Sequence, residues 1–105
     1  VAIATTNVTV ASLTLPAGSY LLYAKANLVR TGGSGSNECS LRDGATALDT
    51  VANQGNATGE VIVAHAAITL SATTTVTYQC RVTAGTANAS NRTFSAVRFT
   101  ALTVQ

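Results

Sequence analysis

The chain has 105 residues, 47% of them hydrophobic and only 10% charged, with a net charge of +2. That length supports one small core and no second domain, so residues 1–105 read as a single domain. The six basic residues are scattered, and three Tyr and two Phe are the only aromatics, which leaves neither a basic stripe nor a stacking platform for nucleic acid.

Charge lies well below the quarter typical of soluble proteins, so Thr, Ser, Asn, Ala and Gly must cover the exterior. Such a surface suits an extracellular location and close contact with other protein. No apolar run is long enough to span a bilayer, which argues against membrane insertion, and the first residues lack the order of a signal peptide. A chain that starts at Val1 and contains no Met reads as processed or excised from something longer.

Helical periodicity is absent and β-branched residues dominate the regular segments, which predicts an all-β fold. Strands are expected at residues 1–3, 6–15, 18–30, 37–42, 45–52, 58–70, 74–83 and 92–104. Turn chemistry separates them at Pro16-Ala17-Gly18, residues 31–36, Asp43-Gly44, residues 53–56 and residues 84–91. Long strands joined by several longer loops favour a two-layer antiparallel Greek-key sandwich of the jelly-roll type.

Alternation assigns the faces. In the second long strand Tyr20, Leu22, Ala24, Ala26 and Leu28 point to the core, and Leu21, Tyr23, Lys25, Asn27 and Val29 point away. Val76, Tyr78, Cys80 and Val82 point inward, and Cys39 shares its face with Leu41, so both cysteines occupy core positions and an internal disulfide is expected. Two buried free thiols are the alternative. The run 61–70 around His65 and the last strand, with Phe94 opposed to Val97 and Phe99, are apolar on both faces. With no helix to cover the second face, another copy is its natural cover, and Leu21, Tyr23, His65, Val97 and Phe99 are the expected interface residues. Small apolar residues simply standing at the surface are the plainer alternative.

Chemistry is sparse. His65 is the only histidine, and a triad would need Asp43 or Asp49 behind it and an activated Ser before it, with no nucleophile elbow to supply one. Glu38, Asp43, Asp49 and Glu60 are the only acids, and none has a context that suggests a raised pKa in a cleft, so no enzyme and no catalytic residues are expected. One His and two distant Cys make no zinc site, and no metal or cofactor is expected. Asp43, Asp49, Asn53 and Asn56 are oxygen ligands with calcium chemistry, although their turn roles explain them. Asn-x-Ser/Thr triplets at Asn7, Asn56, Asn88 and Asn91 follow from composition.

Several segments together resemble a known architecture: Val-Ala-Ser-Leu-Thr-Leu-Pro-Ala-Gly-Ser-Tyr from Val10 to Tyr20, Cys-x-Leu-x-x-Gly from Cys39 to Gly44, Thr-Val-Thr-Tyr-Gln-Cys from Thr75 to Cys80, and Phe-Ser-Ala-Val-Arg-Phe-Thr-Ala-Leu-Thr from Phe94 to Thr103. They look like small secreted bacterial β-sandwich domains, which in turn resemble the jelly rolls of the tumour necrosis factor and complement globular-head superfamily. That resemblance implies a homotrimer, display at the end of a fibre or stalk, and binding of receptors, glycans or other surface ligands. It also implies that the strand 18–30 and the last strand lie near a threefold axis.

The expected function is therefore an extracellular, non-enzymatic structural or display subunit that self-assembles into a trimer or filament. A carbohydrate- or receptor-binding adhesion module is the alternative. Its ligand residues would be Tyr23, Arg30, Asn88, Asn91 and Arg92, with the 84–92 and 31–37 loops gathered beside Tyr23.

Overall fold

In the computed structural model, which describes residues 1–54 and 59–100, the chain forms eight antiparallel strands in two four-stranded sheets. In chain order they are β1 (Ala2–Ile3), β2 (Val8–Leu15), β3 (Gly18–Gly32), β4 (Ser36–Asp43), β5 (Thr46–Gln54), β6 (Glu60–Leu70), β7 (Thr74–Val82) and β8 (Thr86–Phe99). One sheet has the order β1-β8-β3-β6 and the other β2-β7-β4-β5. The described residues contain no helix, and the two sheets pack face to face as a sandwich, the all-β class that the β-branched patterning predicts.

The pairings nest. β4 pairs with β5, β3 with β6, β2 with β7 and β1 with β8, so the two halves of the chain fold back on each other around one central turn. Ladders between β3 and β8 and between β4 and β7 then join these pairs into sheets. Only the β4–β5 turn stays within a sheet; every other connection starts in one sheet and ends in the other. That turn is Gly44-Ala45, one residue later than the expected Asp43-Gly44, because Asp43 still pairs with Thr46. Gly44 takes φ 59°, which a tight hairpin requires at its first central position.

The last strand departs most from expectation. β8 begins at Thr86, not at residue 92, so most of the predicted 84–91 loop is strand. Ala87 and Ala89 are buried while Asn88 and Ser90 are exposed, a clean period of two written in residues of low β-propensity. The end of the predicted strand, with Leu102 and Val104, lies outside the described residues.

Between the sheets the alternation holds. Tyr20, Leu22, Ala24, Ala26 and Leu28 are buried from β3, and Val76, Tyr78, Cys80 and Val82 from β7. The inner face of the β1-β8-β3-β6 sheet is rich in alanine (Ala24, Ala26, Ala64, Ala87 and Ala89), which leaves room for the bulkier Leu41, Val76 and Tyr78 of the opposite sheet. Tyr78 spans the gap, and its buried hydroxyl donates to the Ile62 carbonyl at 2.9 Å. Cys39 and Cys80 stand directly opposite on β4 and β7 and form a disulfide, with Cα atoms 4.0 Å apart.

Two ends of the sandwich are held by backbone recognition. At the Pro16-Ala17 crossing the Tyr20 hydroxyl donates to the Pro16 carbonyl at 2.9 Å. Arg98 lies 6.0 Å from the centre of the Tyr20 ring and donates to the Ala17 carbonyl at 3.0 Å. At the other end Gly85, at φ 79°, packs so closely on the β3 terminus that a Cβ there would run into the Gly32 carbonyl.

Candidate functional site

The outer faces of the two sheets differ in character. On the β2-β7-β4-β5 sheet the outward residues are mainly polar: Thr9, Ser12 and Thr14 from β2, Thr75, Thr77, Gln79 and Arg81 from β7, and Glu38 and Arg42 from β4, with Thr50 and the small Ala47 and Ala52 from β5. Thr14 and Thr75 share a hydrogen bond of 2.8 Å, and Arg81 grips Glu38 with two, at 3.1 and 3.3 Å. Such a face is at home in water.

The outer face of β8, β3 and β6 carries large apolar side chains among polar ones, half of its central residues being apolar. Its central rows, read across β6, β3 and β8, are Ala67–Leu21–Val97 and His65–Tyr23–Ser95, with Thr69–Ser19–Phe99 above and Val63–Lys25–Thr93 below. The five residues expected at an interface thus lie on one surface: Leu21 beside Val97, Tyr23 beside His65, and Phe99 one row on. Leu21 is 37% exposed, Tyr23 51% and Val97 61%. Lys25 is the one permanent charge in these four rows.

His65 meets Asp49, but not as a triad would require. Asp49 sits on the inner face of β5 and its Oδ2 accepts the backbone N–H of His65 at 3.0 Å, so the contact ties the edges of the two sheets and leaves the imidazole outside. Ser95 stands in the same row with Tyr23 between it and His65. Asp49 lies within β5, and so does Asn53, expected in a turn; Asp43 ends β4, and Asp49, Asn53 and Asp43 pair with Leu41, Asn37 and Thr46 on well-separated levels of the hairpin. Asn56 lies outside the described residues, among which no three His, Cys, Asp or Glu side chains converge.

The expected ligand residues do not form one cluster. The loops after β3 and β7 do meet: Arg30 donates to the Ala84 carbonyl and reaches Asn37 Oδ1 at 3.5 Å, and Ser36 N–H donates to Thr83 Oγ1 at 2.8 Å. Tyr23, however, is seven residues back along β3, about 23 Å away at the strand rise, so those loops do not gather beside it. Asn88 faces Val29 near the same distant end and accepts from the Val1 nitrogen at 3.1 Å. Asn88, Asn91 and Arg92 are strand residues, not loop residues, because β8 starts early.

Asn91 and Arg92 instead form a β-bulge. Lys25 pairs with Thr93 and Asn27 with Ser90, which leaves these two residues opposite Ala26 alone. Asn91 adopts φ 49°, the left-handed region that Asn tolerates better than most residues. The bulge opens a groove of about 530 Å³ lined by Lys25, Ala26, Asn27, Val61, Asn91, Arg92 and Thr93. Arg92 Nη1 donates to the Val10 carbonyl on β2 at 3.0 Å, at a matching bulge between Thr9 and Ala11. Lys25, Asn27, Val61 and Thr93 escape a linear reading because only the pairing of three strands brings them together. The sole hint in the sequence is the break in alternation at Asn91-Arg92.

Tyr78 is the one group whose ionisation is strongly shifted: burial holds its phenol protonated well above the ordinary value, and the Asp49 carboxylate adds to the effect. Among the described residues no helix is long and apolar enough to cross a membrane. No protein-family model matches the chain, and no curated protein sequence matches it either.

Proposed function

We propose that the protein is a non-enzymatic, extracellular structural or display subunit that associates with copies of itself through the outer face of β8, β3 and β6. The observation that carries this reading is the contrast between the two outer faces, one lined with paired polar side chains and the other presenting Leu21, Tyr23, Val97 and Phe99 with a single permanent charge. Three strands about 4.8 Å apart and four or five outward rows give a face on the order of 400–500 Å² per copy. Two such faces bury on the order of 1,000 Å², the lower bound for a specific interface, so association at micromolar concentration is the expectation.

The nested pairing and the sheet-to-sheet crossings support a jelly-roll reading of the sandwich, and with it the likeness to tumour necrosis factor domains. The disulfide supports an oxidising, extracellular setting.

Sedimentation velocity at micromolar concentration tests the reading. The protein is expected to sediment as an oligomer, and Leu21→Lys with Val97→Lys as a monomer whose thermal transition is nearly unchanged, both sites being exposed. A monomeric wild-type protein overturns it.

A further inference from the structure

We infer that the groove at the β8 bulge binds an acidic sugar, with Lys25 and Arg92 taking its carboxylate and Asn27, Asn91 and Thr93 its hydroxyls. This goes beyond self-association: the groove takes in Lys25 and Thr93, the end row of that outer face, and continues past it to Asn27, Val61, Asn91 and Arg92.

Charge decides the class of ligand. Two of the chain's six cations line this groove and no carboxylate does. Of the acids, Glu38 is held by Arg81, Asp49 by the His65 N–H, Asp43 ends β4 at the hairpin turn, and Glu60 pairs with Leu28 on the inward register. Arg92 makes one hydrogen bond among the described residues, from Nη1 to Val10, which fixes its direction and leaves Nε and Nη2 to serve a ligand. Two cations lining one groove with no carboxylate among its walls suit an oxyanion.

The remaining lining decides what carries the oxyanion. Asn27, Asn91 and Thr93 add amide and hydroxyl groups with both donors and acceptors. Val61, 61% exposed, supplies an aliphatic wall for the C–H face of a ring. An inorganic anion leaves this wall and the amides unused, and a neutral sugar leaves both cations unpaired. A volume of about 530 Å³ falls within the usual range for small-ligand clefts and suits a sugar of one or two rings. Asn91, the only non-glycine residue with positive φ among those described, sits in the groove because the bulge turns it there.

Amide NMR titration of the whole chain tests the proposal with digalacturonate and sialyllactose as probes, and lactose and sodium sulfate as controls. Backbone amides of Lys25, Asn27, Asn91, Arg92 and Thr93 are expected to shift with at least one acidic sugar. Lactose and sulfate are expected to bind about tenfold more weakly or worse, and added salt to weaken the acidic sugar. Lys25→Gln and Asn91→Gly, the second of which keeps the backbone free to hold its φ, should each weaken binding about tenfold while the rest of the spectrum stays unchanged. No response to either acidic sugar at about 10 mM, an equal response to lactose or sulfate, or unchanged affinity in Lys25→Gln overturns the proposal.

Discussion

Tyr78 places a hydroxyl in the middle of an apolar core and satisfies it with the Ile62 carbonyl of the facing sheet. Removing it in Tyr78→Phe leaves that carbonyl without its donor and is expected to cost about 1–2 kcal/mol in urea denaturation. The shifted phenol also sets an alkaline limit. The unfolded chain releases the Tyr78 proton near pH 10 while the folded chain retains it, so the folded state binds more protons there. This contribution is fully present below pH 10 and is lost progressively above it. Phenolate absorbance assigned to Tyr78 by comparison with Tyr78→Phe should therefore appear only together with loss of the β-sheet circular dichroism. Gly85 makes a different single-residue prediction. Gly85→Ala demands both a positive φ and space held by the Gly32 backbone, so it should destabilise by more than about 1 kcal/mol, far beyond an ordinary surface change. That Tyr20 and Tyr78 point inward was legible from alternation. Their hydrogen-bond partners were not, because Pro16 lies across a corner and Ile62 in the other sheet.

Among the strands, β4 and β7 are the pair locked covalently, and the Cys39–Cys80 bond spans 41 positions of sequence. A loop of that length stabilises by about 4 kcal/mol in the chain-entropy model. Cys39→Ala with Cys80→Ala should lower the urea midpoint accordingly, and reduction of the wild-type protein should reproduce the effect. The outer strands are guarded by side chains reaching from one sheet to the other. On one side Asp49 of β5 takes the His65 N–H of β6, and on the other Arg92 of β8 takes the Val10 carbonyl of β2. An inward charge on an edge strand discourages pairing with a foreign strand. Asp49→Ala is expected to gain thioflavin-positive aggregation on mild heating, with a small loss of stability. The strands with strong alternation, β3 and β7, were legible from sequence. The first part of β8, residues 86–91, was not, because Ala-Asn-Ala-Ser alternates in burial without residue types that favour a strand, and the bulge at Asn91-Arg92 then changes its phase.

The whole molecule is a long hairpin rolled on itself, so its outermost pairing joins Ala2 and Ile3 to Asn88 and Ala87 from the far end of the described chain. Contacts of such sequence separation close large loops before they are rewarded, and refolding of the oxidised protein is expected in milliseconds to seconds, slower than for a helical domain of this size. Stopped-flow fluorescence of the tyrosines measures this directly. Composition and period revealed the sandwich, and the doubly apolar strands pointed to one unusual face, since both depend on local pattern. The groove, which needs the registers of β8, β3 and β6 at once, was not visible. The guarded rims bear on any assembly this molecule builds. With both flanks occupied by its own Asp49 and Arg92, the sandwich leaves a single plane for the self-association proposed above, and on that proposal no vacancy remains to recruit the next copy once the plane is filled, so growth stops at a small, closed number.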